Sequence, residues 1–75
     1  MNMKVIAKMR TREGSATIEF LQDNAREYRW RITSRNGEII GASSEGFSTM
    51  QNAKKNLSLL VLCVQEIAIQ GWRNV

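Results

Sequence analysis

The dipeptide Asn36-Gly37 constrains the fold of this chain more than any other feature of its sequence. It separates residues 27–34 (EYRWRITS) from residues 38–42 (EIIGA). The first stretch alternates large apolar residues with polar ones, as a half-buried strand does. Asn-Gly tolerates the positive φ that a type I′ turn needs at both central residues. The sequence therefore predicts a β-hairpin with a two-residue loop.

A two-residue loop fixes the pairing of the two predicted strands. In that register Arg35 faces Glu38, and the remaining pairs are Thr33 with Ile40 and Ile32 with Gly41. Gly41 then lies beside the apolar face of the strand, where a missing side chain lets a helix approach closely.

Two further strands are predicted before this hairpin. Residues 16–22 (ATIEFLQ) are rich in residues that favour strands. Residues 3–9 alternate loosely between apolar and polar. This indicates a candidate fourth strand at the edge of the sheet, whose lysines discourage pairing with another chain. Residues 1–15 as a whole are interpreted as a basic N-terminal arm or edge strand, and residues 16–43 as a β-meander.

The loop at residues 23–26 (DNAR) leaves two registers open for the first hairpin of the meander. A regular four-residue loop puts Ile18 and Phe20 on the side of the arginines. A one-residue bulge near Asp23 puts them with Tyr28 and Trp30. The bulge is favoured because it gathers the apolar residues on one face.

A single long helix is predicted over residues 48–70. Ser48 as N-cap and Gln51 three residues later form a capping box, and Gly71 suits the position after the last turn. Apolar residues recur with helical spacing. This main stripe consists of Met50, Ala53, Leu57, Leu60, Val61, Val64, Ile67 and Ala68.

Three apolar residues of the helix, Leu59, Leu62 and Ile69, fall outside that stripe. A small sheet covers one face of one helix, so we expect these three to form the interface of a homodimer. Trp30 is expected in the core beneath Leu57 and Leu60, and Cys63 is expected as a buried, inert thiol. Trp72 is either a lid over the core or part of a subunit contact.

The length of 75 residues allows one domain, here residues 1–75, with a core that is marginal by itself. One cysteine excludes an internal disulfide, and the absence of histidine argues against a zinc site. Association with a second copy is the remaining way for so small a chain to gain stability. The predicted fold class is α+β: a three-stranded antiparallel meander, or a four-stranded one with the arm, packed on one C-terminal helix.

Nothing in the sequence indicates a catalytic, cofactor or metal site. The chain has no histidine to act as a general base at neutral pH, and its carboxylates lack metal-ligand spacing. Its glycines fit neither a phosphate-binding loop nor a dinucleotide fingerprint. We therefore expect a protein that is not an enzyme and needs no cofactor. The longest apolar run is short and no signal peptide is evident, so we expect a cytoplasmic protein without a membrane contact.

The net charge of +4 lies in the first twelve residues, which contain four cations and no acid. Nucleic-acid binding is the second hypothesis, because a basic sheet can lie in the major groove of DNA. The alternative is a solvated face, or one for a partner protein, in which Glu19, Glu27 and Glu38 neutralise the arginines. The candidate residues for either role are Arg29, Arg31, Arg35, Lys4, Lys8, Arg10 and Arg12.

Residues 18–47 resemble the YegP-like family of small bacterial proteins of unknown function. The resemblance is carried by Ile-Glu-Phe followed by Asp23, by YRWR at 28–31, by NGEII at 36–40 and by SEGFS at 44–48. It implies three antiparallel strands followed by a helix. Family members carry this unit twice in tandem or pair two single-unit chains, so the one copy here implies a dimer. The family brings no established site residues.

The leading functional hypothesis is therefore a non-enzymatic binding module that acts as a homodimer and has a protein partner. Inhibitors and regulators encoded by mobile elements often have this size.

Overall fold

The computed structural model describes residues 3–71, which form one antiparallel sheet and one helix. The strands are β1 (Lys4–Arg10), β2 (Ala16–Gln22), β3 (Tyr28–Ser34) and β4 (Ile39–Ala42), and the helix is α1 (Met50–Gln70). The sheet order β1-β2-β3-β4 is that of a simple meander. The predicted α+β class is confirmed, in its four-stranded form, because part of the basic arm is β1. Trp72 lies outside the described residues.

Each of the three hairpin turns is closed by the same backbone hydrogen bond. The amide of the fourth turn residue donates to the carbonyl of the first: Gly14 to Thr11 (2.9 Å), Arg26 to Asp23 (3.0 Å) and Gly37 to Ser34 (2.9 Å). In every case the donor residue has a positive φ, at 72°, 62° and 88°. For the last two turns this is the geometry of a type I turn followed by a left-handed residue in a G1 bulge.

The type I′ turn predicted at Asn36-Gly37 is therefore wrong, although the hairpin itself is present. Asn36 has no positive φ, and its side chain instead accepts a hydrogen bond from the Ser34 hydroxyl. The loop is one residue longer than predicted, because the Ser34 amide donates to the Glu38 carbonyl (2.8 Å). Consequently Arg35 does not face Glu38.

Beyond this turn the predicted register is restored at Ile32 and continues with Arg31 opposite Ala42. Ile32 pairs with Gly41 as predicted, but a bulge makes Thr33 pair with Ile39 instead of Ile40. A Cβ added to Gly41 would lie 3.8 Å from the Trp30 ring, which is an ordinary contact. Close approach of a helix therefore does not require glycine there.

The favoured face assignment in the first hairpin of the meander is confirmed. Ile18 pairs with Ile32 and Phe20 with Trp30, and paired residues of antiparallel strands lie on one face. The extra residue that produces this register is Arg26 in the loop, and the β2–β3 pairing itself is regular. We call the side of Phe20 and Trp30 the helix face, and the side of Glu19, Arg29 and Arg31 the open face.

The helix begins one residue later than predicted. Thr49, not Ser48, is the N-cap, and its hydroxyl accepts a hydrogen bond from the Asn52 amide (3.1 Å). Gly71 ends the helix as predicted, with φ 90° and its amide bonded to the Ile67 carbonyl (2.9 Å). At the entry to the helix, a Cβ on Gly46 would lie 2.7 Å from the Cβ of Glu27, so glycine is required by close packing.

The core lies where the first half of α1 crosses β3. Phe47 and Tyr28 exchange two backbone hydrogen bonds (2.7 and 2.8 Å), which start the helix above the beginning of β3. Trp30, Ala53 and Leu57 are buried, and the Trp30 indole N–H donates to Asn56 Oδ1 (2.8 Å). The predicted core position of Trp30 is thus confirmed.

The second half of α1 extends past this core. Every residue from 58 to 71 is exposed, including the stripe residues Leu60, Val61, Val64 and Ile67 at 43–52%. The prediction that the sheet covers the whole stripe is therefore wrong. Cys63 is exposed as well, which corrects its predicted burial.

Candidate interaction surfaces

The most unusual surface of the molecule is residues 59–69 of α1 (LLVLCVQEIAI), which we call the apolar helix segment. Nine of these eleven residues are apolar, and the exceptions are Gln65 and Glu66. Aliphatic side chains are exposed all around the helix here. A helix that is apolar on all sides is normally buried, so this segment has the character of an interface.

The three predicted interface residues lie in this segment and are among its most exposed side chains. Leu59 and Leu62 are each 61% exposed and Ile69 is 81% exposed. At 100° per residue, all three fall within an arc of about 80°, so they form a single stripe. Leu59 and Leu62 line one open groove of about 480 Å³, and Ile69 lies two turns further along α1. The structure therefore brings all three onto one exposed face of α1, on the side away from the sheet.

The two flanks can be oriented by the grooves beside the helix. One open groove of about 380 Å³ is lined by Asn56, Leu59 and Cys63 together with Ala42 and Ser44 at the end of β4. That flank therefore faces β4. The opposite flank, with Val61, Gln65 and Ile69, is turned toward the β2 side of the sheet.

The open face holds the second candidate set, and its two strand arginines are paired with acids. Arg31 Nε lies 2.7 Å from Glu19 Oε1, as the neutralised alternative predicts. Arg29 Nε lies 2.8 Å from Asp23 Oδ2, an acid outside the predicted set of Glu19, Glu27 and Glu38. Both arginines are therefore held down along the sheet.

Asp23 organises this pairing from the first position of the loop. Its Oδ1 accepts hydrogen bonds from the amides of Ala25 (2.9 Å) and Glu27 (3.0 Å), while Oδ2 accepts from Arg29. The hydrogen bond from Arg29, followed by that from the Glu27 amide, lowers the pKa of Asp23 below its ordinary value of 3.8.

Two of the predicted N-terminal cations join the arginines on the open face. Lys8 pairs with Glu19 and Arg10 with Thr17, so both share the face of Arg31. Lys4 is separated from them, because it pairs with Gln22, which alternates onto the helix face.

The remaining two cations lie in turns at one end of the sheet. Arg12 belongs to the β1–β2 turn, and Arg35 belongs to the β3–β4 turn instead of to the face of β3. The guanidinium of Arg35 donates to the Glu13 carbonyl (3.2 Å), which links the two turns.

Sequence reasoning missed three residues that shape these surfaces. Asp23 was read only as a turn residue, although an acid at the start of a turn commonly caps the loop backbone. Leu21 is only 2% exposed although it lies on the open face, opposite Arg29, whose aliphatic stem suits such cover. Asn56 satisfies the indole of Trp30, and no local pattern identifies it.

Residues 3–71 contain neither a group of metal ligands nor a membrane-spanning helix. The described side chains include no group of three or more histidine, cysteine, aspartate or glutamate residues placed to hold a metal ion. In the same part of the chain, no helix combines the length and the apolar character needed to span a bilayer.

Comparison with known protein families gives a match to part of the chain. A family model described as a domain of unknown function (DUF1508) matches residues 23–58. That range contains β3, β4 and the first part of α1, but not β1, β2 or the apolar helix segment. No curated protein and no solved structure matches the chain.

Proposed function

Residues 23–58 of this chain belong to the YegP-like family of small domains of unknown function (DUF1508), and we propose that the protein is a non-enzymatic binding module that acts as a homodimer. Dimerisation covers the apolar helix segment, and the completed dimer binds a protein partner.

The observation that carries this proposal is an excess of surface for a chain of this size. The accessible surface is 6225 Å², whereas a compact monomer of 8.6 kDa exposes about 4700 Å². The radius of gyration is 13.7 Å, against about 11 Å for a compact domain of this length. The excess of roughly 1500 Å² is more than the ~800 Å² per partner of a standard interface.

The proposal is tested by the mass in solution measured by light scattering. We expect a dimer for the unmodified chain, and a shift toward the monomer for Leu59→Glu and Leu62→Glu, because a buried carboxylate without a partner is costly. Ile39→Glu is the matched control: Ile39 is also 61% exposed, but lies on the open face. An unchanged mass in both helix variants would contradict the proposal.

The protein partner is tested with the same variants. A tagged chain should capture the partner from its native cells. Ile39→Glu should lose the partner if the partner binds the open face, and Leu62→Glu should lose it if the partner binds the apolar helix segment. If both variants and the unfolded chain capture the same proteins as the folded, unmodified chain, a specific partner is contradicted.

One observation favours a second candidate function, the binding of nucleic acid. Strand β1 brings Lys8 and Arg10 onto the face that holds Arg29 and Arg31, although Asp23 and Glu19 offset part of this charge. Affinity for duplex DNA should then fall steeply with salt.

A mobility-shift assay tests the second candidate. Lys8→Glu with Arg10→Glu should abolish the complex, whereas Lys54→Glu with Lys55→Glu makes the same charge change on α1 and should leave it. If no complex forms at micromolar protein in low salt, nucleic-acid binding is excluded.

A further inference from the structure

The helix face of the sheet is only half covered. Helix α1 packs against β3, and the helix face of β1 and β2 extends beyond it. Ala7 and Met9 of β1 lie on this vacant part, because they pair with Phe20 and Ile18. Met9 is 68% exposed, and Ala7, Ile18 and Phe20 are half-buried. We call these four residues the vacant sheet surface.

The dimensions of the sheet leave space for one more helix. Four strands at ~4.8 Å spacing place the outer strand axes about 14 Å apart, and side chains widen the layer further. A helix with its side chains is about 10 Å wide. One helix above β3 therefore leaves room above β1 and β2 for a second helix beside it.

The apolar helix segment is the second uncovered surface, because the sheet does not bury its side chains. Val61, Val64 and Ala68 line an open groove of about 400 Å³ with Ile32 at its edge. Helix α1 is about 31 Å long at 1.5 Å per residue, and its buried residues, Ala53 and Leu57, both lie in its first half.

We infer that the vacant sheet surface of each copy is covered by the apolar helix segment of a second copy. The inference rests on the homodimer proposed above and specifies its geometry. In this arrangement the two-fold axis is perpendicular to the two helices, which makes them antiparallel. The first half of each helix then lies on its own sheet, and the second half lies on the partner's sheet, beside the first half of the partner's helix.

Two observations support a second copy as the occupant. The flank with Val61 and Ile69 is turned toward β2, so a neighbouring helix above β1 and β2 contacts apolar residues. The two uncovered surfaces also coincide with the two parts of the chain outside the family match at residues 23–58. Covering both at once accounts for the surface excess of the single chain.

Cross-linking between copies tests this geometry. In a Cys63→Ser background, one copy carries Met9→Cys and a differently tagged copy carries Gln65→Cys, and a bifunctional maleimide is added to the co-expressed pair. Each chain then has one thiol, so every cross-link joins two copies. We expect the product to exceed, several-fold, that of the control pair Ile39→Cys with Gln65→Cys, because Ile39 lies on the open face.

The possible failures are distinguishable when light scattering is measured on the same samples. A monomer overturns both the proposed homodimer and this inference. A dimer whose Met9–Gln65 product does not exceed the control overturns this inference alone. Cross-linking of the unmodified chain through Cys63 in such a dimer would identify the β4-side flank as the actual contact.

Discussion

At the scale of single residues, the turns explain both a correct and an incorrect prediction. Gly14, Arg26 and Gly37 occupy equivalent positions with positive φ, and glycine marks two of the three. The third is an arginine, which no turn rule selects, so the extra residue of that loop was favoured only by the apolar pattern of the two strands. At Asn36-Gly37 the dipeptide correctly located a hairpin, but the Ser34–Asn36 side-chain hydrogen bond accompanies a different turn type.

Replacing Arg26 with glycine should stabilise the fold. A Cβ in the left-handed region costs about 1–2 kcal/mol. Glycine loses more conformational entropy on folding, which offsets about 0.5–1 kcal/mol of the gain from removing that Cβ. We expect Arg26→Gly to raise the free energy of unfolding by about 0.5–1 kcal/mol, measured by urea denaturation. Arg26→Ala keeps the Cβ and should show no such gain; an equal gain in both variants would contradict the steric explanation.

Asp23 should make stability depend on pH in acid. Its pKa is lower in the folded chain than its ordinary value of 3.8, so its stabilising effect is complete above that value. The effect is lost as the pH falls through the lowered pKa, because protonation removes the charge that holds Arg29. Thermal unfolding followed from pH 5 to about pH 2 should show a shallower decline in Asp23→Asn than in the unmodified chain. Parallel declines would contradict this role.

At the scale of elements, local sequence identified the four strands and the helix of the described residues and the faces they present. It did not show how much of the helix the sheet covers. Alternation in residues 27–34 correctly put Trp30 on the helix face and Arg29 and Arg31 on the other. Helical periodicity also predicted the stripe that includes Leu57. It could not show that the sheet stops beneath the first half of α1, because the extent of a sheet is a tertiary property. The exposed Val61 and Val64 follow from that.

The helix cap offers a direct test of an element boundary. Thr49→Ala removes the hydroxyl that accepts from the Asn52 amide and should cost about 1 kcal/mol. Ser48→Ala, one residue earlier, is the matched control and should change stability little. Chemical denaturation of the two variants measures the difference. A larger loss for Ser48→Ala would restore the capping box predicted from the sequence.

At the scale of the whole molecule, the candidate interface was predictable in kind but not in extent. Leu59, Leu62 and Ile69 indicated that the helix has more apolar surface than one small sheet can cover. The vacant sheet surface was not predictable, since it depends on β1 joining the sheet and on α1 lying above β3. Both are consequences of long-range pairing, such as Met9 with Ile18, that no local pattern specifies.

A fold completed by a second copy should lose stability on dilution, and this prediction concerns the molecule as a whole. Because only the dimer buries the apolar helix segment, a tenfold dilution removes about 1.4 kcal/mol of the free energy of association. For 150 residues unfolding together, that lowers the Tm by about 3–5 °C. Scanning calorimetry at several concentrations measures the change of Tm with concentration, and Ile39→Glu should retain that change.

Leu62→Glu should have a lower Tm that no longer changes with concentration, because its apolar helix segment faces water at every dilution. A Tm independent of concentration in the unmodified chain, together with a monomeric mass, would mean that this exposed helix is stable without a partner copy.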